Sequence, residues 1–503
     1  MKLKAILLLL SLFLLTKSYG QSQDKHTVAK KLIEKSMQTM GGEAWKSVQS
    51  LSLEGYGNRN IIDQSERPEG PFIPGQFSRS IVKDFAHDQF LVVQKSQDFG
   101  FSNETTYLFN NQVVAEKNGG KLLPTLQGQQ LYDELYLSPE LVLKTALAAT
   151  DLVFVKDTTY QKAAHSIILF KFEGYPVRVF LNKETDLLTA VEITKPYKNE
   201  FFNVWGDSKR TIIYSFWMLL DKGLHYPVQE DVFVNGWPQS SFLIDKWKIN
   251  PVVNTDSLKI TDGVKKQEQL MGKSQEVGLA MQVEKGGKEI APGVWFLRGF
   301  CNSTIIEQPD GLVIIEGPLG SYYGDAIIKK AKTLFPGKRI KALITTSDAW
   351  LHIGGVRAFA AIPGIKIYHP ARNRFILDKL LKATYTTEPD ALAKTLKPSY
   401  TLTGVTDTIT VGSGKNRLVL YAYRTETGDR MMMVYFPTHK IVYTSDLYQP
   451  KGPDGKYWNS HIVWEVYHSI QQRKLDVKQF YAMHAPGLIP FEELANDVKA
   501  GME

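Results

Sequence analysis

One cysteine, Cys301, stands among 503 residues. No intramolecular disulfide can form, even in a compartment that would favour one. No Lys/Arg cluster interleaves with aromatic residues, which argues against nucleic acid as a partner. There is no internal repeat and no low-complexity tract. After the first fifteen residues no apolar run approaches the ~20 residues that span a bilayer. The mature chain is therefore expected to lack a transmembrane segment.

The one long apolar run is Ala5 to Leu15, "AILLLLSLFLL". Lys2 and Lys4 precede it, and the small residues Ser18 and Gly20 follow it. That order reads as a signal peptide over residues 1–20, with the mature chain starting at Gln21. No cysteine follows the run, so a lipid anchor is not expected, and the location read from the sequence is periplasmic or secreted. Residues 1–20 carry three lysines and no acid, so their removal lowers the formal net charge from +8 to +5. Cys301 lies in "GFCNSTII" beside a strand and reads as a small buried apolar residue. With no histidine near it in sequence, a catalytic thiol is not expected there.

The chain changes grammar once. Residues 27–42 read as a helix with Thr27 as its cap, Val28, Leu32, Ile33 and Met37 on one face, and Gly41-Gly42 at its end. From Val48 to about Val253, segments such as "FLVVQKS", "HSIILFKFEG", "PVRVFLN" and "RTIIYSF" are short, β-branched or aromatic, and separated by turns. Asn182 to Asp186 and Asn235-Gly236 are two of those turns. Successive strands with short connections make an antiparallel meander. Residues 254–288 are polar and lack clear periodicity, so they read as a linker. Beyond about 289, strands alternate with helices. The "GSGK" at 412–415 is not a phosphate loop, because Ile409 stands where its first glycine belongs and a strand follows.

The N-terminal meander, led by one helix, resembles in order the half-barrel of periplasmic lipoprotein carriers. The resemblance implies a concave face that holds an acyl chain or another apolar ligand. A curved sheet packed on its neighbour is the plainer reading.

Residues 289–503 resemble the metallo-β-lactamase superfamily. The segments that carry the resemblance are "NSTIIEQPDGLVIIEGPLG", "FPGKRIKALITTSDAWLHIGG", "MMMVYFPTHKIVYTSDLY" and "FYAMHAPG". It implies an αββα sandwich with a metal site along one sheet edge. The expected fold class is thus α+β, with domains at 21–253 and 289–503. The family's signature, Thr-His-X-His-X-Asp-His-X-Gly-Gly, aims several imidazoles and a carboxylate into one small volume. Bound metal there lowers the pKa of water to ~7.

Laid on that signature, Thr346 is kept, Ser347 and Ala349 replace two histidines, and Leu351 replaces the aspartate. His352 and Gly354-Gly355 are kept. Thr427 stands where the next histidine belongs, ten residues before Pro437. Asp446 in "YTSDLY" and His484 in "MHAPG" are kept, with Ala485 in place of the usual glycine. The pattern implies that the first metal position is gone and that His352, Asp446 and His484 remain from the second.

Two readings follow. In one, these three residues hold a single zinc or iron ion that activates water for ester, amide or phosphoester hydrolysis. In the other the site has decayed, no metal binds, and the chain is an inactive envelope module for a lipid, glycan or protein. A Ser347, Asp348 and His352 triad is a third idea, weakened because triad members usually come from separate segments. Trp350 and Leu351 are expected to narrow the old metal cavity. His369 is expected at the cleft rim, and His461 and His468 in a packed helix or lid.

Overall fold

The computed structural model describes residues 24–62, 70, 72–98, 101–110, 113–125, 128–196, 206–271, 275–452, 455–457 and 459–500. The segment at 1–20, read from the sequence as a signal peptide, lies outside the described residues. The chain divides into two compact units, the second made of Leu270–Glu503 together with the segments Ile62–Ile73 and Pro196–Asp207; the last change, between Gln269 and Leu270, falls inside the stretch read as a linker.

The N-terminal unit is built on one sheet. Its strands are β1 Ser50–Ile61, β2 Ile73–Asp84, β3 Gln89–Asp98, β4 Phe101–Asn110, β5 Val113–Asn118, β6 Lys121–Pro124 and β7 Val153–Tyr160. They are followed by β8 Ala163–Phe172, β9 Tyr175–Asn182, β10 Leu188–Pro196, β11 Asp207–Leu219, β12 His225–Val234 and β13 Trp237–Ile249. The order across the sheet is β6-β5-β4-β3-β2-β1-β13-β12-β11-β10-β9-β8-β7. The meander is therefore present, with β1 and β13 paired antiparallel at its middle. Asn235 and Gly236 have φ of 51° and 86° and join β12 to β13. Two left-handed residues in succession suit a two-residue hairpin turn.

Alternation sets the packed face. Leu51 and Leu53, Phe77 and Ile81, Phe90 and Val92, and Val177 and Val179 enter one core. Against that face lie the helix at 24–39, through Ala29 and Ile33, and the helices Gln129–Tyr136 and Pro139–Ala148. The last two correct the expectation of a single leading helix. Their apolar residues fall at helical spacing within a strand-rich stretch, where the strand signal on either side hid them. The first helix already contains Thr27, so that residue does not cap it. Buried ion pairs fasten the added helices to the sheet: Lys83 with Glu140 at 2.6 Å, Lys195 with Asp133 at 2.6 Å, and Arg79 with Glu134 at 3.1 Å. A groove of about 970 Å³ in this unit is lined in part by Tyr56, Phe77, Lys95, Phe242 and Leu243.

The stretch 254–288 is not featureless. It contains the helices Asp262–Met271 and Gln275–Lys285. Ile260 and Val264 pack with Leu108, Val113 and Ala115 of the N-terminal sheet.

The C-terminal unit holds two sheets. The first consists of β14 Lys288–Ala291, β15 Val294–Leu297, β16 Ser303–Gln308, β17 Gly311–Ile315, β18 Ile340–Ile344, β19 Lys366–Pro370 and β20 Thr401–Val405, in that order. Strands β17 to β20 pair in parallel, which requires crossovers. The helices Ser321–Leu334, Val356–Ala360 and Arg374–Lys382 supply them. The second sheet runs β21 Thr408–Val411, β22 Leu418–Ala422, β23 Met432–Phe436, β24 Ile441–Tyr443, β25 Gln479–Tyr481 and β26 Ile489–Pro490. The "GSGK" is the turn of the β21–β22 hairpin, as expected.

Parity again assigns the faces. Met432, Val434 and Phe436 share a core with Val313, Ile315 and Ile344 of the first sheet. Met433 and Tyr435 point the other way, onto Ile462, Val463, Val466 and Leu494 of the helices Ser460–Gln472 and Phe491–Lys499. Leu312, Ile314 and Leu343, on the far face of the first sheet, are also fully buried, as are Tyr323, Ile327, Phe359 and Leu377 of its crossover helices. The layers are helix, sheet, sheet, helix, and the expected αββα sandwich is the fold of this unit.

Candidate metal centre

Four chain segments meet at one edge of the sandwich. The loop after β18 carries Ser347 and His352, the loop after β24 carries Asp446, the loop after β25 carries His484, and the β15–β16 connection carries Cys301. Hydrogen bonds tie them together: Thr346 Oγ1 to Ser445 Oγ at 2.7 Å, Met483 N to Ser445 O at 2.9 Å, and Asn302 N to Met483 O at 2.8 Å. Gly355 keeps its helix close to the preceding loop. A Cβ there would stand 2.6 Å from the Pro318 carbonyl oxygen. Gly354 and Gly355 have φ of −59° and −79°, ordinary helical values, so their backbone conformation does not call for glycine. Gly355 is needed for close approach.

The three residues kept from the signature stand together. His352 Nε2 and His484 Nε2 are 3.4 Å apart. His484 Nε2 is 3.2 Å from Asp446 Oδ1, and His352 Nδ1 is 3.6 Å from Asp446 Oδ2. Gln449 Nε2 donates to Asp446 Oδ1 at 2.8 Å. Phe300 O lies 3.1 Å from His484 Nδ1. A carbonyl only accepts, so that nitrogen carries the proton and donates. His484 Nε2 then faces a carboxylate oxygen and the other imidazole. His484 Nε2 thus meets two electron-rich atoms, and a cation there, whether a proton or a metal, relieves the repulsion; Asp446 approaches His352 at its other ring nitrogen, Nδ1.

The spacing fits a metal. Two imidazole nitrogens each ~2.0 Å from a tetrahedral zinc stand about 3.3 Å apart, close to the separations found. The donor set of imidazole and carboxylate suits zinc or iron. His352 is deeply buried, whereas Asp446 and His484 keep 22% and 24% of their side chains exposed. The centre is closed on the His352 side and open on the other.

Electrostatics separates the two rings. Burial pushes His352 down to about 4, against the pull of Asp446 and together with the repulsion of His484. Burial also works against His484, but its hydrogen bond to Asp446 and the carboxylate charge outweigh it and raise its pKa. Asp446 is pushed up by burial, yet the two histidines and Gln449 hold it below the usual carboxylate range.

The replaced positions fall as follows. Ser347 Oγ lies 3.0 Å from His352 Nδ1 and accepts from Ala349 N at 3.3 Å. Leu351 is buried, and its carbonyl accepts from Leu319 N at 2.7 Å. Thr427 donates its N–H to Glu465 at 3.2 Å. The side chain of Trp350 lies outside the described residues.

Geometry does not support the serine triad. Ser347 and Asp446 both approach Nδ1 of His352, whereas a relay needs the two on opposite ring nitrogens. Asp348 is buried, which pushes its carboxyl well above the usual range. His369 is no rim residue. It is buried, with Nδ1 2.7 Å from Pro370 O. His461 and His468 flank Trp464 on the helix Ser460–Gln472; the helix packs through Ile462, Val463 and Val466, whereas His461 and Trp464 are exposed.

Two residues escaped the sequence reading. Cys301 is buried, and its Sγ and one nitrogen each of His352 and His484 all lie within 4.8 Å of one another. The rule that set it aside looked for histidines near in sequence, and these arrive from 51 and 183 residues downstream. Glu316, at the end of β17, is fully buried and accepts from Thr346 N at 3.2 Å and from Thr346 Oγ1. Burial, opposed by the Thr346 hydrogen bonds and joined by the Asp446 charge, raises it to about 8. A carboxyl raised in the fold stabilises fully below its unfolded value of 4.5, and this stabilisation is lost as pH rises through about 8. Glu316→Gln keeps a neutral acceptor. It is expected to remove a decline in stability on the order of 4 kcal/mol across that window. Urea unfolding at the two ends of the window checks this, and an unchanged decline in the variant would refute it.

No family model and no curated protein matches the chain. Among solved structures it is similar to the stereoselective inverting sec-alkylsulfatase Pisa1 from Pseudomonas sp., at 17% identity over 42% of this chain, with a TM-score of 0.33. The match spans 40% of that protein's length. It is also similar to a metallo-β-lactamase from Pontibacter korlensis, at 16% identity over 42% of this chain and 97% of that one, with a TM-score of 0.34. A third is the mono-zinc form of the metallo-β-lactamase FIM-1 from Pseudomonas aeruginosa, at 19% identity, 43% and 96% coverage and a TM-score of 0.32.

Proposed function

We propose that the C-terminal αββα unit, which resembles the metallo-β-lactamase superfamily in its kept signature residues, is a one-metal hydrolase centre on His352, His484 and Asp446, acting on an ester, amide or phosphoester. The observation that carries the reading is the approach of His484 Nε2 to both His352 Nε2 and Asp446 Oδ1, at 3.4 and 3.2 Å. A zinc or iron ion held there supplies a Lewis acid and a water acidified to a pKa of ~7. The chain's own groups do the rest. Phe300 fixes the His484 tautomer, and Gln449 holds one oxygen of Asp446. Asp446, held in its charged form by the two histidines and Gln449, supplies the anionic ligand on the open side. Leu351 keeps the space beside His352 apolar, so only one cation has ligands. Read as a signal peptide, the segment at 1–20 supports a location outside the cytoplasm.

Elemental analysis of the mature chain, purified without chelators, tests the reading. The expected content is roughly one equivalent of zinc or iron, with any hydrolysis of ester and phosphoester panels abolished by chelator and restored by metal. Less than about a tenth of an equivalent after reconstitution would end it.

A second reading rests on a different observation. The groove of about 970 Å³ in the N-terminal unit sets Tyr56 and Leu243 beside polar side chains such as Gln97 and Asn103, with Lys95 paired to Glu104 at 3.3 Å. That mixed lining supports a binding role for a ligand with both apolar and polar parts, whether or not the metal centre works.

A further inference from the structure

We infer that Cys301 is a ligand of the ion held by His352 and His484, a thiolate supplied from outside the segments that carry the other ligands. The inference rests on the one-metal reading above.

Three observations support it. The first is distance. Sγ and one nitrogen of each histidine lie within 4.8 Å of one another. A thiolate at ~2.3 Å and an imidazole at ~2.0 Å from one tetrahedral ion stand about 3.6 Å apart. Side-chain movement of about an ångström at most closes the set.

The second is how the thiol is held. Tyr323 OH donates to the Cys301 carbonyl at 3.0 Å. The next residue, Asn302, donates through Nδ2 to Ala482 O at 3.0 Å and to Ala485 O at 2.7 Å. Its own Oδ1 accepts from Gly299 N at 3.2 Å. The preceding residue, Phe300, accepts from His484 Nδ1. Both flanks of the cysteine are thus fastened to the loop that carries His484, and one of them sets that ring's tautomer. Hydrogen-bonded partners of this kind orient metal ligands and set their basicity.

The third is the neighbourhood. A cysteine kept as apolar filler belongs among apolar side chains. This one faces two imidazoles.

The step balances simply. The thiol gives its proton to solvent, and sulfur donates an electron pair to the ion. With one sulfur and two nitrogens, the donor set favours zinc, cobalt or iron over magnesium, calcium or manganese. Cys301 and His352 close the buried side of the ion, so substrate approaches from the Asp446 and His484 side.

Cobalt(II) is the probe, added to the metal-free mature chain in a non-thiol reductant. The expected result is saturable binding with an intense near-ultraviolet thiolate-to-cobalt charge-transfer band. Because the chain has a single cysteine, that band identifies its source without mutation. Cys301→Ser is expected to lose the band and to weaken cobalt binding by at least ~10–100-fold. Cobalt bound by the wild type without the band overturns the role of Cys301 and leaves the one-metal reading intact. Failure of the wild type to bind cobalt, zinc or iron overturns both. Should Cys301→Ser not fold, the wild-type spectrum decides alone.

Discussion

Replacing His352 by alanine is expected to weaken metal binding by well over ~100-fold, since even the loss of a partner outside the coordination shell costs ~10–100-fold. The ring sits on the closed side of the centre with 3% of its side chain exposed. Water cannot easily take its place there. His484→Ala is expected to have the same outcome, because that ring touches both other ligands. Thermal unfolding gives a readout independent of activity. Metal at ~100 times its dissociation constant stabilises the wild type by about 2.7 kcal/mol, and neither variant should respond to added metal. Isothermal titration supplies the affinities. Equal metal responses in wild type and variants would show that the ligands lie elsewhere.

The second large effect concerns Arg357, just beyond the loop that carries His352. Its guanidinium is buried and doubly bonded to Asp390, at 2.6 and 3.0 Å. It also donates to the carbonyls of Leu380, Leu381 and Ala383, at 3.0, 3.0 and 3.3 Å, and lies 4.0 Å over the Tyr385 ring. Those carbonyls lie at the end of the helix Arg374–Lys382, where Leu380 O also accepts from Ala383 N at 3.3 Å. Arg357→Ala takes the counter-charge from the Asp390 carboxylate, which keeps Ser321 and Ala393 as donors, and removes the guanidinium from the Leu381 and Ala383 carbonyls. The expected cost is about 3–5 kcal/mol, read as a fall in the unfolding midpoint of the C-terminal unit. Burial pushes Asp390 up, but Arg357 and its other hydrogen bonds hold it below the usual range. The contribution is therefore present above the ordinary aspartate range and is lost as pH falls through the lowered value. A loss under about 1 kcal/mol would mean that water replaces the guanidinium.

The sequence disclosed the two grammars of the chain because strands alternate at period two and crossover helices do not. It disclosed His352, Asp446 and His484 because a spaced signature survives partial loss. It hid the helices at 129–148, whose apolar residues serve the same core as the strands on either side. It hid Cys301 and Glu316 for a different reason. Both matter only through groups brought by other segments, and no local pattern marks a residue whose partners are 30 or more positions away. Gly355 was singled out correctly, but its cause is a carbonyl across the packing interface.

The N-terminal sheet begins at β6 and ends at β7, each with a single neighbour. Such rims invite another chain to add a strand. β6 has only four residues, Lys121–Pro124, and its proline cannot donate to a ladder. β7 carries Lys156 and Asp157, and its pairing with β8 is broken by an irregularity between Phe154 and Lys156. Charge, brevity and a local kink thus serve as fences against self-association at high concentration. Smoothing β7 by replacing Lys156 and Asp157 with valine would remove one fence and turn that rim into a template for aggregates.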